Sequence, residues 1–317
     1  MNYDAVLLIG YGGPEKPEDV IPFLEDVTRG KDIPPERLKL VAKQYEKIGG
    51  VSPYNRLTKE QAQALEKLLS SRGLEIPVQV GFAHYAPRIA DTLTELAKQG
   101  KTKIFAIVMA PHRSPASYDK YVTRVDEALE SIKGQGLPVP EITYTPEWHN
   151  RPGFINAIAQ HVQEAYAQLS EEEKSRHRAE LILVAHSIPK AMAHKSPYSH
   201  QFEETCQLVT QKVGMPYYQT AFTSRSGRPE EVWLEPDLTG FLDRRTYETL
   251  AACVVAPIGF LVDHVEVLYD IDVLAADKAK WKGLHMVRAK TVGTHPSFIA
   301  MLASLVEEGI DQGGQQL

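Results

Sequence analysis

Cysteine is scarce in this chain, two in 317 residues, and that scarcity excludes a good deal. Cys206 and Cys253 stand in apolar surroundings without C-x-x-C spacing, so they read as buried thiols of a reducing compartment, with no disulfide frame and no zinc cage. Blocks of lysine or arginine are missing too. Thirty-five basic against 41 acidic residues leave a net charge of −6, which argues against a nucleic-acid surface and for a small partner. Long hydrophobic runs are also lacking. The longest, Cys253 to Val262, is broken by Pro257 and Gly259 and is too short to span a bilayer, and Met1 to Gly10 has no basic signal-peptide start. The expectation is a soluble, cytoplasmic protein.

What is present is enough apolar material, 43% of residues, for two ordinary cores. Short apolar runs alternate with longer amphipathic stretches, the pattern of parallel strands joined by crossover helices. Strands are predicted over Ala5–Gly10, Val78–Phe82, Ile104–Ala110 and Glu141–Tyr144, then over Leu181–Ala185, Tyr217–Phe222, Ala252–Pro257 and Leu284–Arg288. Thr58 with Gln61, and Ser170 with Glu173, have capping-box spacing, and Gly73 closes the helix begun at the first. The breaker-rich stretch Glu147 to Gly153 places a domain boundary there. The fold class is therefore α/β, two Rossmann-like domains with a four-stranded parallel sheet each. They cover residues 1–147 and 148–295, with a helix near 296–311, led by Pro296, that packs back on the first domain. Gln312 to Leu317 read as a frayed tail. Ligands of such sheets sit beyond the carboxyl ends of the strands, so a cleft between the halves is expected.

The segment Asp263-His264-Val265-Glu266-Val267-Leu268-Tyr269-Asp270-Ile271-Asp272 sets four carboxylates and a histidine among apolar residues. Burying such charge costs several kcal/mol unless it is compensated, so the segment reads as a metal or proton site. On a helix Glu266 and Asp270 share a face, with Asp263 close by, whereas His264 falls on another side and is expected to make a structural hydrogen bond. Strand ends add Tyr11, His112 with Arg113, and His186. Gly10-Tyr11-Gly12-Gly13 fails the G-x-G-x-x-G spacing, and Pro14 and Glu15 occupy the turn that should present amides to phosphate, so hydride transfer is disfavoured. From position alone His186 reads rather as a hydrogen-bonded strand-end histidine, a balance that the acidic segment changes. A histidine and a glutamate facing a cavity suit borderline divalent metals and proton acceptance alike.

With these residues in view, the chain resembles the ferrochelatase family, enzymes that insert Fe(II) into a porphyrin late in haem synthesis. The resemblance rests on Tyr11-Gly12-Gly13-Pro14, on Tyr45 to Pro53, on Val184-Ala185-His186-Ser187-Ile188-Pro189, on Trp233-Leu234-Glu235-Pro236-Asp237 and on Asp263 to Asp270, in family order along nearly the whole chain. It implies that His186 and Glu266 handle the metal and the pyrrole protons, and that Tyr11, Arg29, Tyr45, Ser52 and Tyr121 contact the porphyrin, with Arg113 and Arg124 as additions. It implies no resident cofactor beyond the substrate Fe(II). It leaves room for a transient protein that donates iron or accepts product.

The chain departs from the family pattern at three places. Leu274 stands where many relatives have a third carboxylate of a metal-delivery row, so Asp272 or Asp277 must extend the row from Asp270 or it is shorter. Two cysteines cannot supply the four ligands of an iron–sulfur cluster, and none is expected. The usual W-Q-S reads Phe222-Thr223-Ser224. Tyr11 resembles the type acting on coproporphyrin III, whose extra propionates Thr28-Arg29-Gly30-Lys31 would meet, and protoporphyrin IX stays open. Two alternatives remain, a cobalt chelatase of the corrin pathway using His84 and His112, and a porphyrin or haem carrier without turnover.

Overall fold

The structure is a computed structural model that describes residues 3–30, 33–175, 178–227, 230–244 and 250–314, with side chains to residue 311. The chain divides into two units, one of Met1–Ala110, Pro115–Trp148 and Thr294–Leu317, the other of Pro111–Ser114 and His149–Gly293. Neither unit is continuous in sequence.

The first unit holds β1 (Ala5–Gly10), β2 (Val78–Phe82), β3 (Lys103–Val108) and β4 (Glu141–Tyr144) in the all-parallel order β2-β1-β3-β4. Every residue of β1 is buried, as a strand covered on both faces requires. Its helices are α1 (Val20–Val27), α2 (Pro35–Lys47), α3 (Tyr54–Ser71), α4 (Ile89–Lys98) and α5 (Tyr118–Gly134). One face of the sheet packs Leu7, Ile9, Ala106 and Val108 against Leu93 and Leu96 of α4 and Val125 and Ile132 of α5.

The second unit repeats the topology without a repeat in sequence. Strands β5 (Ala179–His186), β6 (Gln219–Thr223), β7 (Ala252–Ala256) and β8 (His285–Arg288) lie parallel in the order β6-β5-β7-β8. Around them run α6 (Pro152–Tyr166), α7 (Glu171–Lys174), α8 (Lys190–Ala193), α9 (Tyr198–Val213), α10 (Leu238–Asp243), a π-helix (Glu266–Ala275) and α11 (Ala276–Trp281). The last helix, α12 (Pro296–Gly314), belongs to the first unit and packs on α3, with Gly309 against the ring of Phe105 in β3.

Some local expectations need correction. Helix α3 starts four residues before Thr58, at Tyr54, so Thr58 returns its hydroxyl to the Tyr54 carbonyl at 2.9 Å and caps nothing. The Ser170–Glu173 box does form, with both reciprocal bonds. Gln312 to Gly314 belong to α12, where a tail was expected, and Gln315 to Leu317 lie outside the described residues, as does Lys31. Among the described residues no helix is long and apolar enough to cross a membrane.

Candidate active site

In the second unit the sheet order brings the principal residues together. His186 ends β5, and β7 beside it runs in the same direction before leading to the π-helix, so both deliver side chains to the carboxyl edge of one sheet. Gly259 makes the close passage possible. A Cβ there would sit 2.7 Å from the Ala185 Cβ and 2.8 Å from its Cα, and the Gly259 N–H donates to the Val184 carbonyl at 3.1 Å. His186 Nε2 then lies 3.4 Å from Glu266 Oε1, with the side chains 35% and 29% exposed, buried enough to interact strongly and open enough to meet a substrate.

Second-layer contacts fix the imidazole. Its Nδ1–H donates to the Ser187 carbonyl, and Tyr198 Oη donates to the His186 carbonyl at 2.7 Å. Burial disfavours the imidazolium, yet the facing Glu266 carboxylate outweighs it and raises the His186 pKa above its ordinary 6.5. Burial likewise opposes the Glu266 anion, but the imidazolium lowers its pKa below 4.5. Each partner thus favours the charged form of the other.

Asp270 lies next to this pair. Burial pushes its pKa up to about 7, against the hydrogen bond from Ser224 Oγ and with repulsion from Glu266. Ser224 stands beside both acids: its hydroxyl donates to Asp270 and its proximity helps lower the Glu266 pKa. It adopts φ +64°, a left-handed conformation uncommon outside glycine, directly after β6. His264 plays the structural part expected of it: its Nδ1 accepts the Glu266 N–H at 3.1 Å, at the start of the π-helix.

Of the forms the sequence allowed for the acidic row, the one extended through Asp272 is not formed. Asp263 and Asp272 both turn to Arg288, at 3.0 and 2.6 Å, so Asp272 does not extend the row from Asp270. Residues two apart on a helix point to different sides, which is why Asp270 and Asp272 part company. Leu274, 40% exposed, occupies the next turn. No group of three or more His, Cys, Asp or Glu side chains among the described residues is placed to hold a metal ion.

The first unit carries the other candidates. Tyr11 follows β1 in a loop locked by its neighbours: Tyr54 Oη accepts the Tyr11 N–H at 3.0 Å, and Asn55 pairs with both the N–H and the carbonyl of Gly13 at 2.9 and 2.8 Å. Gly12 has φ +90°, and a Cβ on Gly13 would lie 2.8 Å from Ser52 Oγ. The Tyr11 ring is 4.8 Å from His84 and 6.1 Å from Phe23, which in turn lies 6.5 Å from Tyr45. Tyr45, Ser52 and Tyr121 are buried, so their contact with a ligand requires neighbouring groups to give way. Arg29 is 77% exposed and pairs with Asp26 at 2.9 Å, and Arg124 pairs with Glu127.

The remaining histidines have settled partners. His84 Nδ1 donates to Asp26 at 2.9 Å while Nε2 accepts from Lys120 at 3.0 Å, and burial lowers its pKa to about 4. His112 groups with the second unit, bonded to Thr205 Oγ1 at 3.1 Å, and burial lowers its pKa to about 3. Arg113 follows it there, its N–H donating to Gln201. His84 and His112 are thus neutral side chains engaged in different units, the strand-end role expected of them in the absence of a cobalt site.

A profile of the family described as Ferrochelatase matches residues 3–310. The chain belongs to the ferrochelatase family. A ferrochelatase of Rhodopirellula baltica is 38% identical over 307 residues, spanning 96% of this chain and 86% of that protein. A coproporphyrin III ferrochelatase of Streptomyces coelicolor is 38% identical over 331 residues, spanning 99% of this chain and 88% of its own length. Among solved structures, SirB from Bacillus subtilis with Fe3+ superposes with a TM-score of 0.59 at 12% identity, over 97% of this chain and 95% of that one. At that identity the likeness shows the fold alone.

Family motifs now have physical reasons. Tyr11-Gly12-Gly13-Pro14 and Ser52 to Asn55 interlock. Trp233 to Asp237 runs beside the His186 strand end, where the Ser187 hydroxyl donates to the Leu234 carbonyl at 2.9 Å and Asp237 caps α10. Ser224 and Arg288 escaped the sequence reading as site residues. The only signal for Ser224 was the altered Phe222-Thr223-Ser224, and Arg288 had none, because its partners are assembled across 16 and 25 residues of sequence.

Proposed function

We propose that this ferrochelatase-family protein inserts Fe(II) into coproporphyrin III in haem biosynthesis. The carrying observation is the His186–Glu266 pair at the carboxyl edge of the second sheet. The reaction takes a ferrous ion and a free-base porphyrin and yields the iron porphyrin and two protons, so a protein that catalyses it must receive protons from the two inner N–H groups while the metal sheds water. An imidazole and a carboxylate suit both tasks. Glu266 offsets the charge of the approaching dication, whose field helps release the His186 proton to solvent, and the neutral imidazole then accepts the two ring protons in turn and passes each to solvent. Asp270, held by the Ser224 hydroxyl, passes metal to the pair. Tyr11, Arg29, Tyr45, Ser52 and Tyr121 hold the macrocycle and its carboxylates. No cofactor is needed beyond the metal substrate, and a protein that brings iron or takes product acts transiently.

The relatives named for coproporphyrin III, of which the Streptomyces protein is one, and Tyr11 support that porphyrin over protoporphyrin IX. An anaerobic spectrophotometric assay with both porphyrins in parallel tests the reading, with faster turnover expected on coproporphyrin III. His186→Ala and Glu266→Gln are expected to lower turnover at least about a hundredfold while porphyrin binding, followed by fluorescence, persists. An absorbance spectrum that never changes on adding Fe(II) to the unaltered protein excludes the activity, and full turnover in Glu266→Gln excludes its role.

A further inference from the structure

Glu266 stands on an unusual support. A π-helix bonds each N–H to the carbonyl five residues back and rarely persists beyond a single turn, yet this one runs from Glu266 to Ala275, where the Ala276 N–H still reaches the Ile271 carbonyl. Some outside contact has to hold such a winding. One guanidinium spans it. Arg288, at the end of β8, donates from Nε to Asp272 Oδ1 at 2.6 Å, and from Nη2 and Nη1 to Asp263 Oδ2 and Oδ1 at 3.0 and 3.3 Å. Thr291 Oγ1 adds a bond to Asp263 Oδ1 at 2.9 Å. The three charged side chains are 18 to 31% exposed, so solvent screens them only in part.

We infer that Arg288 is a positioning residue for the site: by gripping Asp263 before the π-helix and Asp272 within it, it fixes the winding that places Glu266 against His186. The inference rests on the proposed function for its catalytic consequence. A planar fork holds two carboxylates at a set separation, which a lysine ammonium cannot do. Between the two anchors lie Glu266 and Asp270. Freed at one end, the segment relaxes toward the shorter i→i+4 bonding of an α-helix, and that rotation turns Glu266 relative to His186. A displacement of about 1 Å at a reacting group is enough to lower rate about a hundredfold.

Arg288→Lys, studied in the full chain, is the test. Its kcat for iron insertion is expected to fall about 10- to 100-fold, with the porphyrin KM within about twofold of the parent value. Amide hydrogen exchange over residues 266–275 rises, while β5 and β7 keep their protection. Asp272→Asn, which keeps the volume and one acceptor oxygen, moves both readouts the same way by less, and carries the test if Arg288→Lys does not fold. Asp272→Asn combined with Arg288→Lys is no worse than Arg288→Lys alone, because both changes break one clamp. Unchanged exchange over 266–275 overturns the clamp, and so does a kcat within about twofold of the parent or a defect confined to porphyrin KM. Exchange does not depend on turnover, so a parent protein that inserts no iron refutes the proposed function while leaving the clamp to be decided.

Discussion

Glu266 does two things for His186, and the second is visible only in the coordinates. It neighbours the imidazole as a carboxylate, and by doing so it favours the protonated ring and raises its pKa above the ordinary 6.5. Proton acceptance requires the neutral ring, so kcat/KM is expected to climb through the raised His186 pKa and to go on climbing well above 6.5. In Glu266→Gln the residual activity has lost that stabilising charge, and its pH limb moves down toward the ordinary histidine value. A pH profile of both proteins under anaerobic conditions checks the sign: coincident limbs contradict the pairing. Asp270, with its pKa raised to about 7, gives a second prediction. Ser224→Ala removes the bond that favours its anion, so more Asp270 is protonated at neutral pH and the apparent KM for Fe(II) rises several-fold, about 3- to 10-fold, with the porphyrin KM unchanged. Parallel titrations of metal and porphyrin measure it.

Secondary-structure elements here are held by close approaches more than by propensity. Gly309→Ala would put a methyl 2.5 Å from the buried Phe105 ring, so α12 must shift off its sheet, at about 1–3 kcal/mol of stability by urea denaturation. Gly259→Ala meets the backbone of Ala185, which cannot yield as a side-chain tip can. That variant is expected to lose stability by a similar margin and to lose turnover as well, because Ala185 adjoins His186. The central strand Ala5–Gly10 was readable because a parallel strand buried on both faces must be a continuous apolar run, and the edge strands Val78–Phe82 and Glu141–Tyr144, only partly apolar, also fall at their expected positions. Helix starts were less so. Thr58 and Gln61 have the spacing of a cap, but Tyr54 begins the helix earlier because its hydroxyl meets the Tyr11 N–H, a contact across 43 residues. The π-winding of Glu266–Ala275 has no signature in residue pattern, since Glu266 and Asp270 would share a face on an α-helix too.

For the whole molecule, the last helix belongs with the first unit, although the entire second unit separates them in sequence. Deleting residues 294–317 is therefore expected to raise hydrogen exchange in β1, β3 and α3 and to leave β5 and β7 protected, a pattern opposite to sequence proximity. The presence of two four-stranded parallel sheets was legible because burial periodicity and the need of parallel strands for crossover helices are local properties of the chain, whereas strand order and the grouping of Pro111–Ser114 with the second unit are not. Residue identity likewise carried the family, because His186 and the Asp263 to Asp270 segment bear chemistry that few other sequences assemble. Which charges serve the reaction and which serve the scaffold was not local. Asp263, Glu266, Asp270 and Asp272 are alike as letters, and only the return of β8 to the edge of the second sheet brings Arg288 to two of them and leaves the other two to His186 and Ser224. Carboxylates acquire roles from the cation they face, and that partner is chosen by strand order in three dimensions.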